Sequence, residues 1–60
     1  MAIEWLTPEE IANELKVSVK TVYKLLRAGE LGSVKLGRSW RVSREHLNTF
    51  LKKQESKDGL

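Results

Sequence analysis

The sequence predicts a small, mainly helical α+β domain in the order helix, helix, β-hairpin, helix. Three observations predict it. Two short segments with apolar residues at helical spacing, each behind a capping residue, are joined by about three residues. A stretch of alternating apolar and polar residues follows, interrupted by Gly37-Arg38. A third helical stripe then closes the chain. Sixty residues make one domain at most, and a chain of this size buries a limited core. The absence of cysteine removes a disulfide framework and a thiolate metal site. Residues 1–54 are expected to form the single domain and residues 55–60 a flexible C-terminal tail.

The first helix has a complete start signal. Thr7 is the N-cap, and Pro8 occupies the first helical position, where its missing N–H is not needed. Glu10 follows Thr7 by three and completes a capping box, while Leu6 and Ile11 stand at hydrophobic-staple positions. Ile11, Ala12 and Leu15 give the apolar face, and the helix is expected to run from Pro8 to Leu15 or Lys16. Ser18 caps the second helix. Val19, Val22, Leu25 and Leu26 are its predicted buried face, and Gly29 suits the C′ position that ends it. This close spacing is that of a helix-turn-helix.

The period then changes. Val34, Leu36, Trp40 and Val42 alternate with polar residues, as in strands. A three-residue turn, Gly37-Arg38-Ser39, would set Leu36 opposite Trp40 and Val34 opposite Val42, with all four apolar side chains on one face. That register is the one expected. It puts Lys35 and Arg41 together on the outer face and Arg38 at the tip. Ser43 caps a third helix, expected from Arg44 to about Lys53, with Leu47, Phe50 and Leu51 as its buried stripe. Ile3 and Trp5 alternate before the first helix, and either extend the sheet or lid the core. The resulting fold class is a winged helix-turn-helix.

The net charge of +3 is modest, but its distribution is informative. Residues 1–15 carry Glu4, Glu9, Glu10 and Glu14 and no base. Residues 16–44 carry Lys16, Lys20, Lys24, Arg27, Lys35, Arg38, Arg41 and Arg44 against Glu30 alone. A basic block inside one compact domain points to a polyanion partner. On the second helix Lys20, Lys24 and Arg27 face away from the apolar side, flanked by Thr21 and Tyr23. No acid between Lys16 and Gly29 offers them the i,i+4 partner that a merely solvated helix has. Lys and Arg can reach phosphates or guanine edges, and Thr and Tyr can bond phosphates or meet base edges. Ser18, at a helix N-terminus, is placed to receive a phosphate. The hairpin adds Lys35, Arg38 and Arg41.

Catalytic groupings are missing from the pattern. There is no Gly-rich phosphate loop, no His pair at i and i+4 and no cysteine nucleophile. His46 is the single histidine and reads as a surface or capping residue. The chain is therefore not expected to be an enzyme, to hold a cofactor or metal, or to take a small-molecule substrate. No apolar run approaches transmembrane length, so no membrane partner is expected and the cytoplasm is the expected location.

Several stretches carry a family resemblance. They are Leu6-Thr7-Pro8-Glu9-Glu10-Ile11-Ala12, Leu15-Lys16-Val17-Ser18, Thr21-Val22-Tyr23-Lys24-Leu25-Leu26, Gly29-Glu30-Leu31 and Val34-Lys35-Leu36-Gly37-Arg38-Ser39-Trp40-Arg41-Val42. Over residues 5–51 the chain resembles the excisionase family of DNA-binding domains, relatives of the MerR-type winged helix. The resemblance implies binding of double-stranded DNA, with the second helix in the major groove and the hairpin as a wing. It also implies either a recombination directionality factor that assists an integrase or a small transcriptional regulator. One departure stands out: the family usually has glycine before the Val-Ser of the turn, where this chain has Lys16. If the turn needs a left-handed residue, lysine there costs on the order of 1 kcal/mol relative to glycine.

The interface residues expected from the sequence are Ser18, Lys20, Thr21, Tyr23, Lys24 and Arg27 on the helix, and Lys35, Arg38 and Arg41 on the hairpin. A domain this small covers little DNA, so a second copy or an integrase-like protein is an expected partner on DNA. The alternative reading is a protein-interaction adaptor on the same scaffold, with an acidic partner and Trp5 or Tyr23 as anchor.

Overall fold

In the computed structural model, which describes residues 2–58 and the side chains as far as Glu55, the first helix begins as the sequence dictates. The Thr7 Oγ1 accepts the Glu10 N–H at 3.1 Å, and the Thr7 N–H donates to Glu10 Oε1 at 2.8 Å. This reciprocal cap, worth on the order of 1 kcal/mol, starts helix α1, Pro8–Leu15. Strand β1, Trp5–Leu6, precedes it. Helix α2 spans Val19–Arg27, strand β2 Val34–Leu36, strand β3 Ser39–Ser43 and helix α3 Arg44–Asp58. The three strands form one antiparallel sheet in the order β1-β3-β2. This is the α+β winged helix-turn-helix architecture expected.

Two backbone reversals set the helices. Lys16 adopts the left-handed conformation, φ 59° and ψ 44°, and it is the one non-glycine residue of positive φ among those described. Its N–H and that of Val17 both donate to the Ala12 carbonyl, which closes α1 and turns the chain into the Ser18 cap. Helix α2 ends in a Schellman motif. Gly29, at φ 75°, donates to the Leu26 carbonyl, and Glu30 donates to the Leu25 carbonyl, both at 3.1 Å. Those are the 5→2 and 6→1 bonds of that motif. It delivers Leu31 into the core.

The core is Leu6, Ile11, Ala12, Val22, Leu26, Leu31, Val42 and Leu47, with Leu15, Tyr23, Leu25, Trp40 and Phe50 packed around it. Two residues expected inside are not. Val19 is 37% exposed and Leu51 37% exposed. Val19 stands in the first turn of α2, ahead of the buried Val22 and Leu26. Leu51 lies one turn beyond the fully buried Leu47, next to Phe50, which packs against the core instead. The helix also continues to Asp58, past the expected end at Lys53 and through the first residues of the expected tail. No glycine or proline interrupts residues 44–58, and most of residues 51–57 are good helix formers.

The hairpin register differs from the expected one. Val34 pairs with Arg41, Lys35 with Trp40 and Leu36 with Ser39, so the turn has two residues, Gly37 and Arg38. Gly37 takes φ 64° at the first central position, as a type II′ turn requires. Directly opposed residues share a face, so Lys35 lies beside Trp40, its Nζ 4.9 Å from the ring centroid. Val34 and Leu36 share the other face with Arg41. The expected sharing of an outer face by Lys35 and Arg41 is therefore overturned. So is the sharing of one face by Val34 and Leu36 with Trp40 and Val42, and both Val34 and Leu36 are exposed.

At the other end of β3, Ser43 caps α3, its Oγ accepting the His46 N–H at 3.0 Å and lying 2.8 Å from Nδ1. The His46 ring rests over Gly32, where an added Cβ would stand 2.8 Å from Cδ2. Strand β1 pairs with the same end of β3, Trp5 with Ser43 and Leu6 with Val42. Of the two roles open to the N-terminal segment, it therefore extends the sheet, while Ile3 and Trp5 remain exposed.

Candidate nucleic-acid interface

The amphipathic pattern of α2 turns Val22 and Leu26 into the core and its polar residues outward. Ser18, Lys20, Thr21, Lys24 and Arg27 together line one shallow recess of about 220 Å³. Its hydroxyl end is already organised. The Ser18 Oγ accepts the Thr21 N–H at 3.1 Å and lies 2.9 Å from Thr21 Oγ1. The first turn of α2 carries no acid, so the positive end of its dipole is not neutralised by a side chain.

The structure does not bring Tyr23 into this recess. Its ring is half-buried against the core, and its hydroxyl donates to Glu9 Oε2 at 3.4 Å. It ties α2 to α1. The hairpin residues do not line this recess. Arg38 is exposed at the tip and Lys35 covers the Trp40 ring. Arg41 is half-buried, its Nη1 donating to the Trp40 carbonyl at 2.8 Å.

Charge is sorted across the molecule. Among the described residues, Lys20, Lys24, Arg27, Lys35, Arg38 and Arg41 take part in no salt bridge. The salt bridges of the described residues all belong to Arg44, which binds Glu14 through both guanidinium nitrogens and Glu4 at 3.2 Å. Hydrogen bonding from Arg44 lowers the Glu14 pKa below the usual carboxylate range, and the two carboxylates raise that of Arg44 further. Arg44, part of the basic block by position, is thus neutralised and lies outside the basic surface. No local signal announces this pairing, because the partners lie 30 and 40 residues away. Sequence reasoning also missed two exposed apolar residues flanking the α2 cap, Val17 at 41% and Val19 at 37%.

A second depression, about 570 Å³, runs between the N-terminal segment and the start of α3, lined by Ile3, Trp5, Ser43 and His46 among others. None of the expected interface residues lines it. No group of three or more His, Cys, Asp or Glu stands close enough to hold a metal ion among the described residues. No helix is long and apolar enough to cross a membrane among them.

Two tightly joined helices followed by a β-hairpin define a winged helix-turn-helix domain. A family model described as a helix-turn-helix domain matches residues 5–55, and the chain belongs to that excisionase-like family. It is 44% identical over 46 residues to "Putative DNA-binding protein Rv0500A" of Mycobacterium tuberculosis (strain ATCC 25618 / H37Rv), covering 77% of this chain and 59% of that protein. The same figures hold for "Putative DNA-binding protein MT0521" of strain CDC 1551 / Oshkosh. It is also 46% identical over 44 residues to "Uncharacterized protein YvgK" of Bacillus subtilis (strain 168), covering 73% of this chain and 14% of that protein. The chain thus spans little more than half the length of the mycobacterial relatives. No solved structure matches it significantly.

Proposed function

We propose that the chain binds double-stranded DNA, with α2 in the major groove and the β2–β3 hairpin as a wing. The observation that carries this reading is the recess of Ser18, Lys20, Thr21, Lys24 and Arg27, whose cations have no acidic partner among the described residues. A surface that leaves three cations unpaired on one helix face suits a chain of phosphates. The family supports the reading, as do the names of the mycobacterial relatives. In this arrangement Lys20, Lys24 and Arg27 meet phosphates or guanine edges, and Arg38 at the hairpin tip meets the backbone or minor groove, with Lys35 and Arg41 behind it. Tyr23 acts indirectly, by holding α2 against α1.

The role is that of an excisionase-like recombination directionality factor or a small transcriptional regulator. Either one calls for a second copy or a recombinase beside it on DNA, because one domain of this size covers little surface. Substitution tests the assignment. Lys24→Ala and Arg38→Ala should each weaken binding across all duplex sequences and reduce the salt slope of binding by about one, with the melting temperature retained. Slopes identical to the wild type would remove those two residues from the interface.

A second reading, a protein adaptor, draws on the exposed Ile3 and Trp5 beside the larger depression. It predicts that Trp5→Ala abolishes partner binding while duplex DNA is ignored.

A further inference from the structure

The N-terminal end of α2 is built differently from that of α1. In α1 the first turn is Pro8, Glu9 and Glu10, the residues that helix starts favour. In α2 it is Val19, Lys20 and Thr21. Val19 adds little to the core, being 37% exposed where Val22 is 0% and Leu26 3% exposed. Val17, on the other side of the cap, is 41% exposed. Single exposed apolar residues are ordinary on protein surfaces. Here two of them bracket one cap residue, at the end of the helix that meets base edges when a helix-turn-helix docks. The Cα–Cβ bond of a helical residue tilts toward the N-terminus, so the side chain at the first position projects past the helix end.

The polar groups at that end are partly committed to one another. The hydroxyls of Ser18 and Thr21 lie 2.9 Å apart, and Ser18 also caps the Thr21 N–H. In that first turn the Lys20 ammonium and the valine methyl groups stand beside the one remaining hydroxyl proton. Valine neither donates nor accepts a hydrogen bond. The apolar group that base pairs present in the major groove is the thymine C5-methyl.

We infer that Val19, with Val17 beside it, is a specificity-determining contact for thymine methyl groups in the major groove, an inference that rests on the DNA-binding reading above. The full chain is used to enrich duplexes from a randomised pool. Each enriched dT is then replaced by dU, which deletes the methyl group alone. At one or two positions wild-type affinity should fall about threefold to fivefold, the effect of one buried methyl group. Val19→Ala should bind the dT and dU duplexes equally. Because Val19 is exposed, thermal melts of that variant serve to confirm that it is folded.

Three results would overturn the inference: dU tolerated at every position, an equal dT-to-dU loss in wild type, Val19→Ala and Val17→Ala, or a selection that enriches no thymine. In each of these, salt-sensitive binding to mixed duplex persists, and the thymine contact alone fails. Failure to bind any duplex removes the DNA reading as well.

Discussion

Lys16 carries a cost that its position makes visible. Its left-handed backbone, φ 59° and ψ 44°, places the Cβ against the following carbonyl, a penalty of roughly 1–2 kcal/mol for a non-glycine residue. Glycine avoids it but loses more entropy on folding, so the net gain from Lys16→Gly is on the order of 1 kcal/mol. In a domain of this size that raises the melting temperature by about 4–8 °C. A melt of the variant at or below the wild-type midpoint would mean that the lysine side chain repays the strain. The sequence pointed to this position because the family resemblance marks it as a glycine site.

Glu14 makes a second residue-scale prediction. Arg44 holds its pKa below the usual carboxylate range, so its contribution to stability is present above that range. The contribution is lost as pH falls through the folded-state value. Arg44, with its pKa raised, stays charged throughout. Glu14→Gln should therefore melt below the wild type at neutral pH, and the difference should close in acid. A gap of equal size in acid would show that the pair acts through packing rather than charge.

At the scale of elements, the legible parts were those fixed by local chemistry. The α1 capping box, the Ser18 and Ser43 caps and the Gly29 stop all lie within a few residues of the helix ends they control. The hairpin register was not legible. Aligning four apolar residues on one face assumed that both strands pack on the core. In the structure β2 is an edge strand whose main contacts are with β3, so its face alternation has no core to answer to, and Gly37 decides the turn. The two registers make opposite predictions. With φ 64° at Gly37 and open space around it, Gly37→Ala should cost about 1 kcal/mol through the backbone alone. A three-residue turn would instead place the left-handed residue at position 39, and Ser39→Gly would then stabilise. Chemical denaturation of the two variants separates them. Stabilisation by Ser39→Gly with Gly37→Ala neutral would contradict the two-residue turn. The third helix was legible in its start and stripe, but its end lacked a stop signal before Gly59.

For the whole molecule, the candidate interface was half legible. The outward face of α2 followed from its 100° periodicity, and five of its six expected residues converge on one recess. Tyr23 does not, because it lies close enough to the apolar side to reach Glu9 on α1. The withdrawal of Arg44 from the basic surface depends on tertiary contacts that no periodicity encodes. What results is a molecule with acids on α1 and its flanks and unpaired bases on α2 and the hairpin. Among the described residues, six cations on α2 and the hairpin are free of salt bridges and available to a polyanion: Lys20, Lys24, Arg27, Lys35, Arg38 and Arg41.

That count makes the central claim measurable through the salt dependence of binding to mixed duplex DNA, followed by fluorescence anisotropy. If each cation neutralises one phosphate, log K should fall against log salt with a slope of about −5. A folded sample that binds no duplex even at low salt, or whose binding is indifferent to salt, would contradict the account and leave the adaptor reading in its place.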